Sequence, residues 1–312
     1  MSGLDTSIPV VVTPNVLATS MVNGLTADQA AMAKLETQIS TGYAVNKPSD
    51  NPAQVANILQ LQAGVTRANQ YATNAQDGMS WLSLADSTVS SIMNVLQQAQ
   101  SAVLSITGDQ LSGKTSAVAG ITNVVTGAIR QLIDLANTQY AGQAIFSGTG
   151  NATQAYDANG NYVGAGQAPT RTVAPGTTVS VTVTGPQIFG NPGTKTTDLI
   201  GPTGILQTIR AELQKGTATS IHAAATTGLT KLQKAIGVVE AKAGQLGADQ
   251  QAMQGFANQA AASASALQQE LGDAQDVNLA QAMTNLQLQQ TSYQAALYVA
   301  SQLKTDSLVN YL

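Results

Sequence analysis

The two ends of the chain carry its strongest hydrophobic pattern. Near the amino terminus, apolar residues recur at alternating short spacings from Ala18 to Ile39, and only Asp28 interrupts them. A second apolar stripe runs from Leu279 to Leu312 at the carboxyl end. This spacing predicts an amphipathic helix at each end. Because the ends of most domains are polar and poorly ordered, these helices are expected to pair with each other or with other copies of the chain.

The stripes define a candidate assembly interface. Its predicted residues are Met21, Leu25, Met32, Leu35, Ile39, Leu286, Tyr293, Leu297, Leu303 and Leu308. A stripe of this kind more commonly forms the core of a single chain. That simpler interpretation is weakest at the termini, where each end has little besides the opposite end to cover it.

A long helix is predicted after the first one. Asn51 is its expected N-cap and Pro52 its first residue, where proline costs least. From Ile58 to Ile106 the apolar positions keep a heptad register, with one skip after Leu82. At 1.5 Å per residue this helix would be about 80 Å long, so the sequence predicts a rod.

The middle of the chain changes its period. Gly108 and Gly113 bracket a predicted turn, which another helix follows. Residues 148–201 are rich in Gly, Thr, Pro and Asn, and their apolar residues alternate. Asn159-Gly160 predicts a type I′ hairpin. The run Thr177–Thr184, preceded by a Pro-Gly turn, predicts a half-buried strand.

Helical patterning resumes at Gly204 and continues to the end of the chain. The predicted fold class is therefore mainly α: a long antiparallel helical rod or coiled-coil bundle formed by the N- and C-terminal segments, with a small β insertion at its tip. Three parts are expected. Residues 1–40 and 279–312 form a terminal coiled-coil domain, 41–147 and 202–278 a helical rod domain, and 148–201 a small β insertion domain.

Composition narrows the range of functions. Charged residues make up 10% of the chain, against about a quarter in ordinary globular proteins. A net charge of -4 and a pI near 4.8 give no support to nucleic-acid binding. No apolar run approaches the roughly 20 residues of a membrane span. The chain contains no Cys, and its first residues lack a signal-peptide pattern. Taken alone, these features predict a cytoplasmic protein, unless export uses another route.

The sequence offers no defensible catalytic, cofactor or metal site. The only histidine, His222, has no cluster of carboxylates nearby, so a surface or packing role is expected. The segment Asp157–Asn161 partly matches a calcium loop, but its glycine comes too early and Ala168 replaces the last ligand. Trp81 is interpreted as a packing residue. We therefore expect no enzyme activity and no cofactor; a pocket lined by acids near His222 would revive the enzyme hypothesis.

One segment resembles a known family. Ile39–Ala53 is similar to the flagellin-family segment in which a terminal helix gives way to a Ser-Gly loop and a new helix start, with Asn51 replacing an aspartate. Within that superfamily, Trp81–Asp86, Ile145–Thr149 and Leu286–Leu297 resemble the hook-associated junction branch. The residues Gln98, Gln100 and Ser101 stand where some flagellins carry the charges that meet an animal receptor, so the resemblance does not extend to receptor recognition.

The resemblance implies a structural role in a bacterial flagellum. Its terminal helices would form the inner core of an axial tube, with the β insertion outside. The implied partners are its own copies in a ring, the adjacent hook-associated protein, flagellin and an export chaperone that binds the C-terminal helix. The implied location is extracellular, at the hook–filament junction, after type III export without a cleaved signal peptide.

Two alternatives remain open at this point. A short flagellin that forms the filament itself would share every helical feature named above. A secreted coiled-coil adaptor or effector, with the β insertion as a binding module, would instead be a stable monomer or dimer with ordered ends.

Overall fold

A computed structural model describes residues 14–106, 115–150, 152–190 and 198–309 of the chain, with all their side chains except those of 14, 15, 115 and 303–309. The helices are α1 Pro14–Thr41, α2 Pro52–Leu104, α3 Thr115–Ala136, α4 Gly185–Phe189, α5 Ile205–Lys215, α6 Ala218–Ala223, α7 Leu229–Gln275 and α8 Leu279–Val309. A π-helical turn, Ala224–Gly228, links α6 to α7. Two antiparallel hairpins lie between α3 and α4: β1 Gln139–Tyr140 with β2 Gln143–Ala144, and β3 Thr170–Ala174 with β4 Thr177–Ser180.

These elements confirm the mainly α fold class, with long N- and C-terminal helical regions and a small β segment between them. The predicted start of α2 is also confirmed. The Gln54 amide donates a hydrogen bond to Asn51 Oδ1 at 3.1 Å, and Pro52 is the first helical residue. The predicted turn at Gly108 and Gly113 lies outside the described residues.

Contacts divide the chain into two compact units. The terminal unit comprises the residues up to Val65 and those from Ser265 onward, and the central unit comprises Thr66–Ala264. Helices α2 and α7 contribute residues to both. The three-part domain division predicted from the sequence stays a prediction.

The central unit contains a continuous hydrophobic core. The predicted heptad positions from Leu82 to Ile106 are buried in it, and Leu82, Val89, Ile92 and Leu96 are fully buried. The earlier predicted positions Leu61, Val65, Ala72 and Met79 are only partly buried. The β segment is the part of the chain between α3 and α5, and its residues, including Phe189 of α4, belong to the same core. Three of its aromatic rings are packed edge-on or tilted: Phe146 and Phe189 lie 6.2 Å apart, and Tyr156 and Phe189 lie 5.2 Å apart. The β segment therefore packs against the helices of this unit.

The predicted type I′ hairpin is wrong in its turn type. A turn does form, because the Gly160 amide donates to the Asp157 carbonyl at 3.0 Å, and a bridge joins Tyr156 to Tyr162. Only Gly160 has positive φ, at 80°, whereas a type I′ turn needs positive φ at both central residues. Asp157 determines the local geometry, since its side chain accepts the amides of Asn159 and Asn161 at 2.9 and 2.8 Å.

The predicted strand Thr177–Thr184 is shorter in the structure. It ends at Ser180, and the next three residues, Val181 to Val183, are all buried instead of alternating between buried and exposed. Its Pro175-Gly176 turn is present, with Gly176 at a φ of 70°. Its partner strand β3 and the short helix α4 were not predicted.

Candidate assembly surface

The terminal helices α1 and α8 pack against each other in the terminal unit. Their pairing is anchored at one end by backbone hydrogen bonds. The Val277 amide donates to the Gly42 carbonyl at 2.9 Å, and the Ala44 amide donates to the Gln275 carbonyl at 2.8 Å. Gly42 adopts a φ of 77° after the end of α1, a conformation that glycine tolerates best. The anchor brings the end of α1 to the start of α8.

Away from the anchor, the two helices run antiparallel. Gln289 Nε2 donates to Asp28 Oδ1 at 2.7 Å, and Gln29 Nε2 donates to the Tyr293 hydroxyl at 2.7 Å. Residues earlier in α1 thus meet residues later in α8. These two contacts link side chains that lie more than 260 positions apart in the sequence.

The seam is the set of partly covered side chains that recur at four-and-three spacing on the two helices. In α1 it comprises Met21, Leu25, Asp28, Met32, Leu35 and Ile39; in α8 it comprises Ala282, Leu286, Gln289, Tyr293, Ala296 and Ala300. Among the described side chains of both helices, only Ala282 is buried, with 4% of its surface exposed. Each helix therefore covers the seam side chains of the other from one side only, and that cover is incomplete.

The outer surface of the pair carries many apolar side chains. Of the fifteen large hydrophobic side chains that are exposed in the described part of the chain, nine lie on α1 and α8. They are Val16, Leu17, Val22, Leu279, Met283, Leu288, Leu297, Tyr298 and Val299. The described side chains of α8, from 279 to 302, include no Lys, Arg, Asp or Glu. A depletion of charge with exposed apolar groups is typical of a protein interface core.

The predicted interface residues fall into three groups. Seven lie on the seam between α1 and α8: Met21, Leu25, Met32, Leu35, Ile39, Leu286 and Tyr293. Leu297 lies off the seam, with 45% of its side chain exposed. The side chains of Leu303 and Leu308 lie outside those described. Whether any of these residues contacts another copy stays a prediction.

Several exposed apolar residues were missed by the sequence reasoning. Leu288, Tyr298 and Val299 lie off the predicted stripe, and they are 66%, 66% and 49% exposed. The available signal was the lack of a charged face on the C-terminal helix, because an isolated surface helix needs one.

The other candidate groups have structural roles or none. His222 is exposed, and Asp157 forms the turn described above. Trp81 is 5% exposed, packs against Tyr140 at 5.0 Å and lies under the Arg171 guanidinium at 5.8 Å. The described residues include no group of three His, Asp or Glu side chains placed to hold a metal ion. Within the same part of the chain, no helix has the length and apolarity that crossing a membrane requires.

Comparisons with known proteins relate both helical regions of the chain to a single family. Residues 12–151 match the bacterial flagellin N-terminal helical region, and residues 229–312 match the bacterial flagellin C-terminal helical region. Together the two matches cover more than half of the chain.

Two of the relatives are hook-associated proteins. The chain is 31% identical over 172 residues to flagellar hook-associated protein 3 of Salmonella typhimurium, covering 54% of each chain. It is 28% identical over 170 residues to the protein of the same name from Escherichia coli, covering 54% of this chain and 53% of that one. The matches thus span about half the length of these relatives.

A solved structure shares the fold. A Vibrio parahaemolyticus protein described as flagellar hook-associated superimposes with a TM-score of 0.62 at 19% sequence identity. The superposition covers 73% of this chain and 100% of that chain.

Proposed function

Because the chain belongs to the bacterial flagellin family, we propose that it is a structural component of the flagellum, a junction protein that connects the hook to the filament and presents a starting lattice to flagellin. One observation carries the proposal: the terminal helix pair leaves most of its apolar residues uncovered. The names of the similar hook-associated proteins support the junction role over that of a filament subunit.

The proposed mechanism couples completion of the terminal pair to assembly. Apolar area removed from water contributes about 25 cal/mol per Å². A single copy covers the seam only in part, whereas neighbouring copies in a ring would cover the outer residues, including Leu288 and Leu297. Assembly would therefore supply the burial that the isolated pair lacks, with no chemical step and no cofactor.

The proposed partners follow from this arrangement. They are other copies in a ring, the adjacent hook-associated protein on one side and flagellin on the other. We also propose that an export chaperone binds the C-terminal helix α8, because its exposed apolar residues would otherwise favour aggregation before export. The proposed location is extracellular, at the hook–filament junction, reached through the flagellar type III apparatus.

The position of the protein along the flagellum tests the proposal. A functional copy with a small label in an exposed loop would be imaged on intact flagella of the host bacterium. The junction role predicts one labelled zone at the boundary between hook and filament. Label along the whole filament would instead assign the chain to the filament, and label absent from the flagellum would contradict both.

A further inference from the structure

The seam between α1 and α8 contains one polar layer. Each helix contributes an acidic or amide side chain at one seam position, Asp28 in α1 and Gln289 in α8, and these two side chains bond to each other at 2.7 Å. Apart from the Tyr293 hydroxyl, which accepts from Gln29 outside the seam, the remaining seam side chains are apolar. The polar layer is therefore a matched pair.

A polar layer in a helical seam affects specificity more than stability. A carboxylate held against apolar side chains loses hydration without recovering a hydrogen bond, which is costly. In some coiled coils, a single polar position selects the partner helix and the register, and it does so at some expense of stability. From the matched positions we infer that Asp28 and Gln289 select the pairing of α1 with α8 and disfavour pairing of α1 with α1 from another copy.

The alternative pairing explains why such selection is needed. If two α1 helices met through their seams, each Asp28 would face either apolar residues or a second carboxylate, and no seam position would supply an amide donor. With leucine at position 28, the α1 seam would be an uninterrupted apolar heptad stripe, which favours self-association. The described side chains of α8, from 279 to 302, include no charge that could select a partner by attraction.

The layer also lies far from the backbone anchor. Asp28 is separated from Gly42 by about 20 Å along the helix, at 1.5 Å per residue. The hydrogen bonds at Gly42 and Ala44 therefore fix the base of the pair, whereas the polar layer acts where the helices extend away from it. This inference rests on contacts within one chain and not on the junction role.

The test compares self-association of full-length variants in dilute solution. The double variant Asp28→Leu/Gln289→Leu makes the seam wholly apolar. The control Asn23→Leu/Gln287→Leu adds the same side chains at exposed positions outside the seam. The conservative variant Asp28→Glu keeps a carboxylate at this seam position, so it can still accept from Gln289 and still gives the α1 seam no amide donor. Sedimentation velocity over a concentration series gives the dissociation constant for self-association.

We expect Asp28→Leu/Gln289→Leu to self-associate with a dissociation constant at least tenfold lower than that of the control, and Asp28→Glu to behave like the parent. Because the chain has no native Cys, Ala33→Cys on α1 allows cross-linking with a bifunctional maleimide. Cross-linked dimers should form in the leucine background and not in the Asp28→Glu background. The inference is overturned if the leucine variant sediments like the control, or if Asp28→Glu self-associates as strongly as the leucine variant.

Discussion

The terminal helix pair and the central unit use the same heptad spacing but bury it to different extents. In the central unit, the α2 positions Leu82, Val89, Ile92 and Leu96 are fully buried. In the terminal pair, Ala282 is the only buried side chain among those described. A heptad stripe therefore defines which face of a helix is apolar, whereas the number of neighbours determines whether that face is covered.

This difference separates stability within one copy from stability in an assembly. The core of the central unit is closed by helices and β segments of the same chain, so its burial is available to a monomer. The terminal pair has only two helices, and each can cover one face of the other. The remaining apolar residues on α1 and α8 can be buried only by a further partner.

The largest expected difference is in the free energy of unfolding, between a side-chain truncation in the central unit and one in the terminal pair. Leu96→Ala removes a fully buried side chain and should lower the free energy of unfolding by about 2–5 kcal/mol. Leu25→Ala removes a half-buried seam side chain and should cost about 1 kcal/mol or less in the monomer. Urea unfolding followed by circular dichroism measures both. Equal losses would mean that the seam contributes to monomer stability as the core does.

Hydrogen exchange sharpens the same comparison without a mutation. Amides of α1 and α8 should exchange through local opening at a lower free energy than amides of α2 between Ala75 and Val103, because few buried contacts hold the terminal pair. Mass spectrometry of the monomer at several pH values gives the protection of each region. Comparable protection in α8 and in the middle of α2 would contradict the account.

A smaller effect on the free energy of unfolding is expected at two neighbouring tyrosines of the central unit. Their ring centroids lie 5.3 Å apart. The Tyr156 hydroxyl is buried without a hydrogen-bond partner, whereas the Tyr162 hydroxyl donates to the Ser147 carbonyl at 3.1 Å. Tyr156→Phe should leave the free energy of unfolding unchanged or slightly higher at neutral pH. Tyr162→Phe should lower it by about 1 kcal/mol.

Alkaline pH provides a second measurement at the same site. Burial raises the pKa of Tyr156 above its ordinary value. The unfolded chain therefore releases this proton at lower pH than the folded chain, so stability falls as pH rises above the unfolded pKa. Tyr156→Phe should reduce that alkaline loss. An unchanged pH profile in this variant would show that Tyr156 does not contribute to it.

The smallest expected effect is a change in the pKa of Asp157, the residue that forms the turn before Gly160. The Asn161 side chain, followed by the Asn161 backbone amide, donates hydrogen bonds that lower the pKa of Asp157. A carboxylate with a lowered pKa stabilises the fold above its unfolded pKa, and this contribution is lost as pH falls through the folded pKa. Asn161→Ala should raise the pKa of Asp157, measured by NMR titration. Asn159→Ala should not, because only its backbone amide contacts Asp157.

Local signals predicted much of the helical fold. Asn51 and Pro52 identify the start of α2 because capping and proline placement depend on adjacent residues only. The heptad register identified most buried α2 positions for the same reason. The turn type at Gly160 was missed because the Asp157 side chain, rather than the Asn-Gly pair alone, determines its geometry. Strand β3 was missed because Val173 is its only large apolar side chain.

The candidate surface was predicted less completely. Asp28 interrupts the apolar pattern in the sequence, yet in the structure it occupies a seam position because Gln289, far away in the chain, supplies its donor. The seam also continues through Ala296 instead of Leu297. Alanine carries a weak hydrophobic signal, although its small size suits close helix packing. Pattern alone therefore located the two helices but not every residue that faces the partner.

The central claim is that the uncovered apolar residues of the terminal pair are buried between subunits. Its most direct test is the double variant Leu288→Asp/Leu297→Asp, compared with Gln287→Asp/Gln294→Asp, which adds the same charges at exposed polar positions of α8. Neither variant should change the unfolding of the central unit. Export of each variant is measured first, because α8 is also the proposed chaperone-binding helix. Electron microscopy of the host bacterium should show hooks without filaments for the leucine variant and normal filaments for the control. Normal filaments on cells that export only the leucine variant would contradict the account.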